Sequence, residues 1–146
     1  MRVIVSENAR YWISYGICLL CLFLFLTSAY TKVNKHETFA SGLSSVQVIG
    51  SSAEIIAWCV PLAELLVSIL LIIPSTQRWG LYGFIGIMLI FTIYVGSMLI
   101  WAEKLPCNCN LIIEKLSWSE HVVFNLSFIG LAVLALWLDK TIKYKP

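Results

Sequence analysis

Two cysteines, Cys107 and Cys109, flank one asparagine in a short polar stretch of an otherwise apolar chain. Pro106 comes directly before them and restricts the local backbone. Thiols on the oxidising side of a membrane tend to pair. A disulfide across a single intervening residue closes a very small ring, and departures from relaxed geometry make such a bond easier to reduce. Strained, exposed disulfides of this kind tend to be the catalytic or labile ones. The spacing therefore predicts a redox-active pair.

Three alternatives stay open for these two thiols. They could form a purely structural staple, pair with cysteines of other chains, or bind a metal ion. A structural zinc site needs four ligands, and only His36 or His121 is present to join the two cysteines. We therefore predict no metal site.

The other three cysteines lie inside apolar blocks: Cys18, Cys21 and Cys59. Cys18 and Cys21 have the C-x-x-C spacing, but redox motifs of this type belong at an exposed helix start. A buried cysteine behaves as a small hydrophobic residue. We predict that these three serve only in packing.

Polar residues within the apolar blocks form a second candidate group, namely Glu64, Tyr94, His121 and Asn125. A glutamate is costly in lipid, so Glu64 should face other helices and be paired or protonated. At 1.5 Å rise per residue, Asn125 and Tyr94 lie about 9 Å and about 10 Å below the same membrane surface. We expect the four to converge beneath the cysteine pair. The alternative is a hydrogen-bond cluster that only holds helices together.

These residues must be positioned by membrane helices, because the composition is that of an integral membrane protein. Of 146 residues, 60% are hydrophobic and 12% are charged, against about 25% charged in soluble domains. Backbone polar groups without water partners require helices in lipid. We predict one all-α domain over residues 1–146, a four-helix transmembrane bundle. The predicted helices span about 11–30, 53–73, 79–101 and 119–138.

Residues 31–52 are too long for a simple turn. Phe39, Leu43, Val46 and Ile49 recur at helical spacing, which predicts an amphipathic or re-entrant segment after the first transmembrane helix. The first block exceeds the 7–15 apolar residues of a signal-peptide core. We therefore expect it to be retained as a helix.

Lysine and arginine in the loops predict the orientation, because cytoplasmic loops carry the excess of these residues. With both termini inside, the inner segments hold six: Arg2, Arg10, Arg78, Lys140, Lys143 and Lys145. The outer segments hold four: Lys32, Lys35, Lys104 and Lys115. We predict a multi-pass protein of the bacterial inner membrane with cytoplasmic termini and the Cys107/Cys109 loop outside. No basic stripe indicates nucleic-acid binding.

Two stretches carry a resemblance to a known family. The run VPLAELLVSILLIIPSTQRWGLYGFIGIMLIFTIYVGSMLI and the later PCNCNLIIEKLSWSEHVVFN are similar to the MauE branch of the DoxX-like membrane proteins, over about residues 11–138. The shared features are a proline–glutamate pattern in helix two, a Cys-x-Cys loop before helix four, and a Trp/His/Asn signature at the start of helix four. Asn110 follows the second cysteine where family members often have glycine.

The resemblance implies a redox-associated membrane protein that works with thioredoxin-like proteins. MauE-type members are associated with the maturation of methylamine dehydrogenase, a disulfide-rich periplasmic enzyme. The fold also resembles the four-helix bundle of vitamin K epoxide reductase relatives, which implies quinone as a second redox partner. Quinone is the one cofactor that the resemblance implies, and no other cofactor is assigned.

Two functions therefore remain. The first is a thiol-disulfide oxidoreductase that relays electrons between Cys107/Cys109 and an extracytoplasmic thioredoxin-like or other envelope protein. The second is a non-enzymatic subunit or assembly factor of a larger envelope complex. Its support is the small size of the chain and the small residues Gly80, Gly83 and Gly86, since such residues allow close helix contact.

Overall fold

The computed structural model describes residues 6–101 and 118–143, and this part of the chain is almost entirely helical. Its α-helices are α1 (Glu7–Asn34), α2 (His36–Ser44), α3 (Ala53–Ile72), α4 (Gln77–Trp101) and α5 (Trp118–Lys143). A short 3₁₀ turn, Gly50–Ser52, precedes α3. The long helices α1, α3, α4 and α5 are each long and apolar enough to cross a membrane. The predicted all-α bundle is confirmed.

The four long helices form a ring in which α1 packs on α3 and α5, and α4 completes the ring by packing on the same two helices. Ser14 near the start of α1 donates a hydrogen bond to the carbonyl of Ala135 near the end of α5, so these helices run in opposite directions. We call the end of the bundle at which α1 and α4 end, and α3 and α5 begin, the loop end. Residues 102–117 join α4 to α5 there.

The apolar core lies between these helices and includes two of the five cysteines. The rings of Phe25 in α1 and Phe84 in α4 meet across the bundle, with their centroids 4.4 Å apart. Cys18 and Cys21 are buried in the same cluster, where they pack as small hydrophobic residues. Cys59 is exposed on the outer surface of α3, so the prediction that it packs within the bundle was wrong.

Helix α1 extends beyond its predicted bounds at both ends. It begins at Glu7, because the Ser6 side chain caps it by accepting a hydrogen bond from the backbone N–H of Ala9 at 3.3 Å. It continues to Asn34, so Lys32 belongs to the helix and is 2% exposed. Assigning Lys32 to an outer loop was therefore wrong.

This correction changes the charge count that predicts the orientation. Without Lys32, the predicted outer segments hold Lys35, Lys104 and Lys115, against the same six basic residues inside. Arg10, Arg78, Lys140 and Lys143 of the inner count likewise lie within α1, α4 and α5, so the revised count does not strengthen the predicted orientation. The orientation itself stays a prediction.

The segment after α1 forms a shorter helix than its apolar spacing predicted. Phe39 and Leu43 of α2 are buried against Ala53 and Ala57 of α3, but the helix ends at Ser44. The hydroxyls of Ser44 and Ser45 each donate a hydrogen bond to the backbone carbonyl three residues earlier. Such side-chain bonds compete with helix propagation. The α2 helix is therefore a small amphipathic cover on the loop end of α3.

Two glycines of α4 permit its close approach to α3. A Cβ atom at Gly80 would lie 2.9 Å from the backbone nitrogen of Leu71, and one at Gly83 would lie 2.9 Å from a methyl of Val67. Nothing lies within 4 Å of the equivalent position at Gly86. Gly80 and Gly83 thus serve packing within this chain.

We expect Gly80→Ala to destabilise the bundle, because its new methyl group would force the α3 and α4 backbones apart. Overpacking of this kind typically costs about 1–3 kcal/mol. The matched control is Gly86→Ala on the same helix, which has room for a methyl group. Unfolding by SDS in mixed micelles should show a lower midpoint for Gly80→Ala only. Equal midpoints for the two variants would contradict the close α3–α4 approach.

Candidate functional site

A buried ion pair lies near the loop end, between α1 and α3. The Nζ atom of Lys32 is 2.8 Å from Oε1 of Glu64. The two side chains are 2% and 1% exposed. Burying two charges costs several kcal/mol per ion, and this cost is offset only when the geometry is good and further hydrogen bonds are made.

Ser28 supplies the further hydrogen bonds. It lies one turn before Lys32 on α1, accepts a short hydrogen bond from Lys32 Nζ, and donates to Glu64 Oε1 at 2.9 Å. The ammonium group also faces the ring of Phe91, 4.6 Å from its centroid, and that of Phe39, 5.7 Å away. Aromatic faces attract cations at these distances. These contacts favour the ammonium form of Lys32, whereas its burial opposes that form.

The two oxygens of the Glu64 carboxylate differ in their environment. Oε1 accepts hydrogen bonds from both Lys32 and Ser28. Oε2 is buried and has no hydrogen-bond partner among the described residues. An unsatisfied buried polar atom costs about 1–3 kcal/mol, and more when it is charged. Oε2 is therefore a polar atom of the site for which the described residues supply no hydrogen-bond donor.

A cavity of about 50 Å³ adjoins the ion pair. Ser28, Lys32 and Glu64 line one side of it, and His121 and Asn125 of α5 line another. The remaining lining is apolar and includes residues of α4. All four long helices of the ring thus contribute to one polar cavity near the loop end.

The structure brings together three of the four polar residues that were expected to converge. Glu64, His121 and Asn125 line the cavity. Tyr94 does not, and instead packs against the buried cluster formed by Phe39 and its neighbours at the α2–α3 contact. Its expected place in the polar cluster was wrong, because depth along a helix does not fix the direction of the side chain.

The predicted redox pair, Cys107 and Cys109, lies outside the described residues, so its geometry stays a prediction. Trp101 and Trp118, to which that segment is joined, end α4 and begin α5 at the loop end. The cysteine-bearing segment is thus attached to the same end of the bundle as the cavity.

Sequence reasoning missed Ser28 and Lys32 as site residues. One signal was available, since the two lie four residues apart and therefore on one face of a helix. The uncharged run ends at Tyr30, so the predicted helix ended there and Lys32 was assigned to a loop. The four-residue spacing between Ser28 and Lys32 was therefore not recognised as a helical one. The lone glutamate in the middle of the second apolar block, now α3, is a second signal, because a carboxylate inside a membrane usually pairs with a cation on a neighbouring helix.

A second polar contact anchors α2 to α3 at the surface of the bundle. His36 Nε2 lies 2.8 Å from Glu54 Oε1, and the His36 ring stacks on Trp58 with centroids 4.3 Å apart. Glu54 is 70% exposed, so this contact lies outside the polar cavity. Its evident role is to hold the amphipathic cover in place.

Comparison with known proteins gives one match. The family model described as methylamine utilisation protein MauE matches residues 10–138. Searches of curated proteins and of solved structures found no match. The matched residues include the ion pair, the cavity and the Cys107–Cys109 segment.

Proposed function

The chain belongs to the MauE family of membrane proteins, and from this premise we propose that it is a membrane thiol-disulfide relay for an extracytoplasmic thioredoxin-like partner. That it is a multi-pass membrane protein follows from its four apolar helices. The proposal adds the chemistry, the partner and the orientation. A relationship to the wider DoxX-like group is likewise part of the proposal and rests on the sequence pattern alone.

The observation that carries the proposal is the Cys-x-Cys spacing in a segment joined at both ends to the loop end of the bundle. Cys107 and Cys109 lie between the end of α4 at Trp101 and the start of α5 at Trp118. A dithiol at a membrane surface is accessible to a soluble partner, whereas Cys18 and Cys21 are enclosed in the core. The loop pair is therefore the pair suited to exchange.

The exchange proceeds in two steps that balance without any other reactant. A thiolate of the reduced partner attacks one sulfur of the Cys107–Cys109 disulfide and releases the other cysteine as a thiolate, which forms a mixed disulfide. The second partner thiolate then attacks the mixed disulfide. The partner ends as a disulfide, the loop pair ends as a dithiol, and two electrons have been transferred. The reverse sequence oxidises the loop pair.

Quinone does not fit the cavity as a second redox partner. Small-molecule pockets usually enclose about 300 Å³ or more, and the cavity between α1, α3, α4 and α5 encloses about 50 Å³. This cavity is therefore too small for a quinone ring, and the proposed relay includes no quinone step there. Electrons pass between proteins through the cysteine pair.

The alternative function, a non-enzymatic subunit of a larger complex, has no specific observation in its favour. Its sequence support included three glycines of α4, and two of them, Gly80 and Gly83, face α3 of the same chain. The small-residue surface that was expected to receive another protein is thus largely used within the bundle.

Trapping a mixed disulfide tests the proposed exchange. Membranes carrying Cys107→Ser or Cys109→Ser would be incubated with a purified thioredoxin-fold protein whose second active-site cysteine is replaced by serine and whose first carries a thionitrobenzoate group, which the remaining loop thiolate displaces. We expect one single variant to form an adduct that is visible on a non-reducing gel and is lost on reduction. The control is the variant lacking both loop cysteines, which should form none. Failure of both single variants to form an adduct would overturn the relay.

Labelling of intact cells tests the orientation. A membrane-impermeant maleimide, added after mild reduction, should modify Cys107 or Cys109, because the loop is proposed to lie outside. The protein labelled should be a triple variant, Cys18→Ala, Cys21→Ala and Cys59→Ala combined, so that Cys107 and Cys109 are its only cysteines. Labelling that requires an opened inner membrane would place the pair in the cytoplasm.

A further inference from the structure

We propose that the cavity beside Glu64 is a water-filled proton-exchange site, in which water binds Oε2 of Glu64 and carries protons between this carboxyl group and the loop end. The site consists of described residues alone, so it is independent of the proposed cysteine chemistry. It goes beyond the relay by assigning a protonatable group within the membrane.

The unmatched oxygen is the first argument for bound water. Glu64 is 1% exposed, and both of its protein hydrogen bonds converge on Oε1, which leaves Oε2 without a partner among the described residues. A buried carboxylate oxygen in this state is stabilised by a donor that the protein does not supply. Water in the adjoining cavity is the simplest donor of that kind.

The cavity has the size and the polar groups that bound water requires. A water molecule occupies about 10–15 Å³ of such a volume and needs two to four polar partners, so a cavity of about 50 Å³ has the volume for about three to five. Glu64, Ser28, His121 and Asn125 contribute polar side chains to its lining. Asn125 makes no side-chain hydrogen bond within the described ranges 6–101 and 118–143, so its amide is available to water.

The hydrogen bonds also determine where a proton would be added. Oε1 already accepts from Lys32 and Ser28, so an incoming proton binds Oε2. Hydronium in the cavity then becomes water, and the carboxylate becomes a carboxylic acid that donates its O–H to the cavity. Lys32 keeps its contacts with Ser28 and with the rings of Phe91 and Phe39. The proton can thus be gained and lost without dismantling the rest of the site.

Few titratable groups surround Glu64. Helix α1 contributes Lys32, and α5 contributes His121, which lines the cavity. The α4 residues in the lining, Met88, Phe91 and Val95, are uncharged. Among the described residues of the lining, only Lys32 and His121 can change charge besides the carboxyl itself, and Lys32 Nζ lies 2.8 Å from Glu64 Oε1.

The route to the aqueous phase follows α5. Asn125 and His121 lie one turn apart on the same face, and His121 is the nearer of the two to the start of the helix at Trp118. At 1.5 Å per residue, His121 lies about 4.5 Å along the axis from that start. The cavity that adjoins Glu64 therefore extends to within about one helical turn of the start of α5, where His121 lines it.

Infrared difference spectroscopy of the protein in lipid nanodiscs tests the site directly. Stepping the pH should reveal the carbonyl band of a carboxylic acid that shifts in D₂O, and Glu64→Gln should remove this band. The matched control is Glu54→Gln, which alters an exposed carboxyl group and should leave the band intact. Replacing both Cys107 and Cys109 by serine should also leave it intact, so failure of the relay and failure of the proton site are distinguishable.

A second variant tests the water and remains informative if Glu64→Gln does not fold. Asn125→Leu should fill the polar side of the cavity and slow hydrogen–deuterium exchange of the Glu64 carboxyl band several-fold. The control Ser127→Leu alters an exposed position on the same helix and should leave the exchange rate unchanged. A band that does not respond to pH, or an exchange rate equal in both leucine variants, would overturn the proposal.

Discussion

Replacing Lys32 by methionine is expected to destabilise the folded protein by about 3–5 kcal/mol, because removing one partner of a buried ion pair leaves the other charge uncompensated. Glu64 would retain the hydrogen bond from Ser28 and lose that from Lys32. The measurement is the free energy of unfolding by SDS in mixed micelles. Lys35→Met is the comparison, since Lys35 is only partly buried, and it should have a much smaller effect.

The double variant Lys32→Met with Glu64→Leu separates stability from function. Replacing both members of a buried pair by apolar residues is often neutral or stabilising, so the double variant should recover most of the stability lost in Lys32→Met. It should also lack the pH-dependent carboxyl band. A double variant that is as unstable as the single one would contradict the assignment of the cost to an unpaired charge.

The four long helices were predictable because each apolar block is long enough to cross a bilayer. The bounds of α3 and α4 agree with the prediction within about two residues, since charged or turn residues mark their ends clearly. The end of α1 was misplaced, because Lys32 has the composition of a loop residue. It contacts Glu64, thirty-two positions along the chain, and the four-residue spacing of Ser28 and Lys32 is the one local sign of that contact.

The candidate site was partly predictable for a related reason. Glu64 was recognisable as a carboxyl group inside an apolar block, and counting residues predicted a common level for Asn125 and Tyr94. The sequence did not reveal the direction in which each side chain points around its helix. Phe91 and Val95, which line the cavity, lie four residues apart on one face of α4. Tyr94 is rotated by about 100° from Val95 at 3.6 residues per turn, and it faces α2 and α3 instead.

The two cysteine pairs are expected to respond oppositely to the same chemical change. Replacing Cys107 and Cys109 by serine should abolish disulfide exchange with an added thioredoxin-fold protein, because no sulfur remains in the loop. The unfolding free energy should change little, because packing between the lipid-embedded helices holds the bundle together. Exchange is measured as the fraction of the added protein oxidised or reduced by proteoliposomes.

The matched variant replaces Cys18 and Cys21 by serine. These side chains are 3% and 0% exposed, so the change places hydroxyl groups in an apolar core and should cost about 1–3 kcal/mol per residue if they stay unsatisfied. Exchange with the thioredoxin-fold protein should persist. If this variant lost exchange while the loop variant kept it, the redox chemistry would belong to the core pair, and the proposed relay through Cys107 and Cys109 would be wrong.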